Sequence, residues 1–174
     1  SSPENAIVTI SALGIFDLFV NGVRVGNTEN GKTLYDELKP GWTDYRKRVL
    51  SFTYDISSLL REGKNTLGIV ATRGWWSGRI SFACYGFKKV ATIANFEISL
   101  NNGEKISVIT DASWEATLEG PIRYADIYDG EYFDARIEYP FIRSNCSSWE
   151  NCELFDGFDG VISPAEAPFI RVRE

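Results

Sequence analysis

Apolar and polar residues alternate along most of this chain with a period of two, the repeat of a strand that buries one face. AIVTISALG (6–14) shows it first, and IFDLFVNGVRVG follows directly. Asn21-Gly22 falls between FDLFV and VRV, and a tight two-residue turn needs positive φ at both centres, so the pair predicts a hairpin. ANFEISL (94–100) and EKISVIT (104–110), flanking Asn101-Asn102-Gly103, predict a second one. VLSFTYDI (49–56), TLGIVAT (66–72) and a run from Ile80 to Tyr85 read as further strands. Only SSLLREG (57–63) has helical character, about two turns at most, ended by Gly63. Without any β-α-β alternation, the pattern predicts an all-β, antiparallel β-sandwich of jelly-roll type with at most short helical turns, Ser57 to Arg61 being the main one. Leu18, Val20, Ile69, Phe96, Ile98 and Val108 occupy the apolar phases and are the expected core. Residues 143–168 are less regular, and PFIRVRE then resumes an extended pattern.

Composition narrows the function classes. A chain of 174 residues, 44% hydrophobic and 24% charged, fits one domain over residues 1–174 with a single substantial core. The net charge is −6 and the basic residues are scattered, which argues against nucleic acid and anionic membranes as partners, since both need a basic patch. No apolar run approaches the roughly 18 residues of a membrane span. The chain has no initiator Met and no Met at all, so it reads as processed or excised from a longer, multidomain protein, and a removed export signal would fit a periplasmic or secreted location. Histidine is absent, which excludes Ser-His-Asp and Cys-His nucleophiles, His-based zinc sites and a His general base. Cys146 and Cys152 are spaced for a small disulfide loop or are reduced and structural, and Cys84 reads as a small core residue.

Four stretches could carry chemistry. In LKPGWTDYRKRV, Pro40-Gly41 marks a turn, and Trp42 is expected to plug the end of the sandwich while Tyr54 and Ile56 face the core. In RGWWSGR (73–79), two glycines bracket Trp75 and Trp76; neighbouring residues of an extended chain face opposite sides, so one indole is a candidate surface on which a sugar ring could stack. FDGFDG (155–160) is a pair of turn signals and reads as a loop.

The fourth, YADIYDGEYFDAR (124–136), is the densest. In a regular strand Asp129 and Glu131 would share a face at roughly 6.5 to 7 Å, a separation glycosidases use for their carboxyl pair. Asp129, Glu131 and Asp134 equally suit a calcium ion, sugar hydroxyls, ion pairs with Arg123, Arg136 or Arg143, or plain solvent. Tyr124, Tyr128 and Tyr132 share one parity, which predicts a face in the core or an interface. Asp126 and Asp134 share that parity too, so the regular strand must break, and Gly130 is the expected bend. Asp129 and Glu131 should project from it, with Arg136 pairing to a carboxylate of a neighbouring strand.

Taken in order, ALGIFDLFVNGVRVG, PGWTDYRKRVLSFTYDISSLLREGKNTLGI, RGWWSGR, ITDASWEAT and IRYADIYDGEYFDAR resemble the N-terminal accessory domain of bacterial α-L-rhamnosidases, from about Ala6 to Ile170. The resemblance implies a β-sandwich that precedes a catalytic (α/α)6 barrel in the same polypeptide and takes part in recognising a rhamnose-containing glycan or glycoside. It also implies that the fragment is not itself an enzyme, because the family's catalytic carboxylates lie in the barrel. Related sandwich modules hold L-rhamnose through calcium, which makes an independent calcium-assisted sugar-binding module one alternative and a purely structural interdomain module another. Trp75, Trp76, Asp129, Glu131 and Arg136 are then the sugar-binding or interdomain candidates, with Asp129, Glu131 and Asp134 as possible calcium ligands. The segment from Cys146 to Cys152 departs from the family pattern.

Overall fold

The computed structural model describes residues 2–80, 83–84, 89–143, 148–166 and 168–172. Cys146 and Tyr85 lie outside them, as do the side chains of Cys84 and Arg143, so the expectations placed there are not addressed below.

In chain order the strands are β1 (Pro3–Leu13), β2 (Ile15–Val20), β3 (Val23–Arg24), β4 (Asn27–Glu29), β5 (Lys32–Leu34), β6 (Arg48–Asp55), β7 (Leu67–Thr72) and β8 (Arg79–Ile80). They continue as β9 (Ala83–Cys84), β10 (Ala91–Leu100), β11 (Lys105–Ile109), β12 (Glu115–Ala116), β13 (Ile122–Asp126), β14 (Gly130–Phe133), β15 (Glu150–Asn151) and β16 (Val161–Pro164). Two sheets carry the architecture, one ordered β11-β10-β1-β6-β16 and the other β3-β2-β7. Pairing is antiparallel except at one edge, where β16 runs parallel to β6. Pro164 is tolerated there because an edge strand can spare a donor.

Both predicted hairpins form. Asn21 and Gly22 adopt φ of 51° and 81° between β2 and β3. Gly103, at φ 84°, turns β10 into β11. Gly14 carries the chain from one sheet to the other at φ 140°, where an added Cβ would lie 2.3 Å from the Thr72 carbonyl oxygen.

The core follows the alternation. Ala6, Val8, Ile10 and Ala12 of β1 meet Phe16, Leu18 and Val20 of β2, with Tyr54, Ala94 and Phe96 completing one cluster between the sheets. Leu18, Val20 and Phe96 are buried as expected, while Ile69, Ile98 and Val108 pack at its margin. Tyr54 and Ile56 face this core. At its far end β1 is buried on both sides, because Leu13 joins Tyr45, Val49 and Trp76 in a second cluster.

Helical structure is short but not where the pattern put most of it. The expected turn at Ser57–Arg61 shrinks to a 3-10 turn, Ser57–Leu59. Two unforeseen single turns appear, α1 (Gly74–Ser77) and α2 (Pro140–Arg143). Trp42 also departs from expectation. It is 55% exposed, and Tyr45 supplies the buried ring, edge-on to Trp76 at 5.3 Å. No described helix is long and apolar enough to cross a membrane.

Phe96 is fully buried and stacks on Trp114 at 6.1 Å, so Phe96→Ala should lower unfolding stability by about 3–5 kcal/mol. Urea denaturation followed by tryptophan fluorescence measures this; a loss under ~1 kcal/mol would contradict the assignment of the main core.

Candidate functional site

The acidic stretch folds back on itself instead of kinking within one strand. Asp126 closes β13 as a turn residue: its Oδ1 accepts from Tyr128 N at 2.8 Å and Asp129 N at 3.1 Å. Its Oδ2 accepts from Arg79 N at 2.9 Å, which pins the turn to β8. Burial would raise the pKa of this carboxyl, but the three backbone donors hold it below the ordinary carboxylate range. Gly130, at φ 86°, opens β14 opposite Asp126. Gly130 is therefore the bend that the sequence demanded, and the bend is a complete hairpin.

The reversal makes Tyr124 and Tyr132 cross-strand partners with ring centroids 5.8 Å apart. That tyrosine face was expected in the core or an interface; within this chain it lies outside the core, with Tyr132 71% and Tyr128 51% exposed. The rings instead meet each other and two cations: the Arg73 guanidinium lies 5.4 Å from the Tyr124 ring centre and that of Arg79 5.5 Å from Tyr128. Arg136 also departs from expectation. Its Nε donates to Asp134 Oδ1 at 2.8 Å, a pairing two residues away and not across strands. A short local loop satisfies the pair before a neighbour can.

The candidate metal ligands do not converge. Asp129 pairs with Arg79 and Asp134 with Arg136, while Glu131 is exposed with no bonded partner among the described residues. No group of three or more metal-capable side chains is placed to hold an ion among the described residues.

The tryptophan pair separates as an extended-chain argument could not foresee. The single turn α1 buries Trp76 to 2% exposure, with Nε1 donating to Lys89 O at 2.9 Å. Trp76 is thus a core residue and not a sugar platform. Trp75 is half-buried against the same second cluster. Gly78, just after α1, leaves room for the hairpin, since a Cβ there would meet Gly74 O at 2.3 Å and Asp126 Oδ2 at 2.6 Å.

Between this hairpin and the β2–β7 sheet lies a groove of about 250 Å³. Ile15, Phe16, Val70 and Ile122 make its apolar surface, and Asp17, Glu37, Asp126 and Glu131 supply carboxylates. Glu131 is the one predicted site residue of the acidic stretch that lines it, joined by Gly130 and Asp126.

The wall opposite the hairpin rests on a charge network that pattern reading missed. The Lys39 side chain is 1% exposed, and its Nζ donates to Asp17 Oδ1 and to the Asp36 carbonyl, both at 2.8 Å. Arg24 donates to Asp17 Oδ1 at 2.8 Å and spans both Glu37 oxygens at 3.1 and 2.9 Å. Asp36, itself 1% exposed, accepts from Tyr54, Asn27 and Arg171. Burial and then the Asp36 charge push the Tyr54 phenol up, so it stays a donor. Asp17 could have been suspected as the lone acid in IFDLFV, but nothing in YDELKPG marks Lys39 as buried.

The chain belongs to the α-L-rhamnosidase N-terminal domain family, whose description matches residues 1–174. It is 35% identical over 157 residues to an α-L-rhamnosidase of Formosa agariphila, covering 88% of this chain and 16% of that protein. The solved α-L-rhamnosidase of Dictyoglumus thermophilum superposes with a TM-score of 0.81 at 30% identity, over 100% of this chain and 18% of that one. The Streptomyces avermitilis α-L-rhamnosidase, solved in complex with L-rhamnose, gives 0.70 at 37% identity, over 79% and 13%. The chain thus spans less than a fifth of these three relatives, all α-L-rhamnosidases.

Two local predictions follow from the geometry. The Arg136 side-chain and backbone donors hold the Asp134 carboxyl down at about 2. Because that value is depressed, the pair persists above the ordinary carboxylate range and is lost only as pH falls through about 2. Carboxyl-carbon NMR titration should place the midpoint there and move it toward 3.8 in Arg136→Ala. Gly78→Ala should cost about 1–3 kcal/mol by driving the hairpin off α1. Gly130→Ala meets open space but must hold φ 86°, at a cost of about 1–2 kcal/mol. Hydrogen exchange at Tyr128 and Asp129 should rise in both variants.

Proposed function

We propose that this chain is a non-catalytic accessory domain of an α-L-rhamnosidase, contributing to recognition of a rhamnose-containing glycan or glycoside and to the scaffold around a separate catalytic (α/α)6 barrel of the same polypeptide. The groove between the hairpin and the β2–β7 sheet carries this reading. It combines apolar surface from Phe16, Val70 and Ile122 with carboxylate acceptors, the mixture that a sugar's C–H faces and hydroxyls call for. Absence of histidine and the family membership support a non-catalytic role.

An independent calcium-assisted rhamnose module is the second reading; the Streptomyces avermitilis relative, solved in complex with L-rhamnose, supports its sugar but not its metal. Calcium would need Asp129, Glu131 and Asp134 to abandon their present arrangement, since two of them are committed to arginines.

Titration of the 174-residue chain with L-rhamnose, with and without calcium, tests both. Weak saturable binding near millimolar, about −4 kcal/mol, should shift the amides of Gly130 and Glu131. A calcium-dependent response supports the second reading, and no response at tens of millimolar sugar leaves a purely structural module. An aryl α-L-rhamnoside should not be turned over. Turnover abolished by Glu131→Gln would contradict the non-catalytic assignment.

A further inference from the structure

The groove's bonding inventory specifies the charge class of its ligand, an inference that rests on the recognition role proposed above. Glu37 has both carboxylate oxygens bonded to Arg24. Asp126 has both oxygens bonded to backbone N–H groups. Asp17 is different: Arg24 and Lys39 both donate to Oδ1, and Oδ2 receives no bond from the described residues. Glu131, on the hairpin, receives none on either oxygen. Two acceptors from two separate elements therefore stand ready along one groove.

The cationic heads near the groove are committed to carboxylates, although the buried Arg24 Nε has no partner among the described residues. Lys39 is buried beneath Asp17, and Arg24 is committed to Asp17 and Glu37. Arg79, behind the hairpin, pairs with Asp129. Of the side chains lining the groove, Thr72 alone carries a hydrogen-bond donor in addition to its apolar neighbours and the carboxylates. Asp17 and Glu131 also share a neighbourhood, since the charges of both help to raise the pKa of the half-buried Tyr139 phenol, after burial itself.

We infer that the groove takes a neutral, hydroxyl-rich sugar through Asp17 Oδ2 and Glu131 as acceptors, and discriminates against sugars that carry sulfate or carboxylate groups. A neutral sugar offers O–H donors to both acceptors while its C–H faces cover Phe16, Val70 and Ile122. An anionic substituent would find four carboxylates and, among the described residues, no uncommitted cation lining the groove, and like charges brought together in a partly desolvated groove repel strongly. Lys39 and Arg24 act here as positioning residues, fixing Asp17 so that its second oxygen faces the ligand.

The test is calorimetric titration of the 174-residue chain with methyl α-L-rhamnopyranoside and, separately, with its sulfate monoesters. The neutral glycoside should bind at least about tenfold more tightly, and added salt should narrow the gap by screening. Glu131→Ala, at an exposed position with no bonded partner among the described residues, should keep the native circular dichroism, weaken neutral binding about tenfold and also narrow the gap. Asp17→Asn should do the same, with its circular dichroism checked because it faces buried Lys39. Equal or tighter binding of the sulfated sugars overturns the inference while leaving the recognition role standing. Unchanged neutral binding in Glu131→Ala overturns the acceptor assignment. If neither sugar binds, the recognition role itself fails and the inference falls with it.

Discussion

The ammonium of Lys39 is the interaction on which the rest of the structure depends. A buried cation costs several kcal/mol to desolvate unless its donors are matched, and here they meet one carboxylate, one carbonyl and the Phe16 ring at 5.4 Å. Those partners come from different parts of the chain: Asp17 and Phe16 from β2, Asp36 from the segment after β5. Phe16 N also donates to Lys39 O, so backbone and side chain clamp the same two segments. Removing the Asp17 carboxylate, the one acid that Lys39 meets, would strand a charge in the interior, and β2 would lose its side-chain tie to the 36–39 segment. The cost of burying this ion therefore enforces one arrangement of a segment with no regular secondary structure.

That arrangement decides what the groove can offer. With Lys39 and Arg24 turned inward onto Asp17 and Glu37, the surface left toward solvent is rich in acceptors and poor in donors. The other wall arises independently. Asp126 folds its hairpin with its own carboxylate and draws the turn onto Arg79, and only a glycine at 78 allows that approach. Glu131 is thereby left over beside Gly130 with no bonded partner among the described residues, while Asp129 is neutralised on the far side by Arg79.

What the sequence disclosed follows its local physics. Period-two runs give the strands and the burial of Leu18, Val20 and Phe96, because side-chain alternation is dictated by the pleat alone. Asn21-Gly22 and Gly130 were legible for the same reason, since positive φ is a local requirement. Apart from Arg136, which settles on a carboxylate two residues away, the main failures are non-local. Trp42 and Tyr45 exchange roles because a one-turn helix at 74–77 delivers Trp76 to a place where Tyr45, not Trp42, can meet it. The tyrosines of the hairpin stay at the surface because their partners are arginines from residues 73 and 79, some fifty positions earlier in the chain. Of the site itself, Glu131 and the Gly130 turn were visible, whereas Asp17, Arg24 and Lys39 acquire meaning only when β2 and the 36–39 segment are brought together.

The C-terminal segment extends the same logic. Glu37 N donates to Ile170 O at 2.8 Å, and Arg171 reaches Asp36 Oδ1 at 2.9 Å and Glu29 Oε1 at 2.7 Å. Asp36 and Glu37 are neighbours with opposite duties, one buried in the network and the other lining the groove. Because Asp36 accepts from Asn27, Tyr54 and Arg171, its position is over-determined by three elements. Glu37 inherits that rigidity through one peptide link and through Arg24. A groove wall made of loop residues can then hold its carboxylates at fixed angles without a strand beneath them, because the charges on either side of each peptide are anchored deeper than the backbone that joins them. The stretch around 168–172 thus serves as a strap on the ion network, and any displacement of Arg171 is felt at Asp36 before it is felt at the groove.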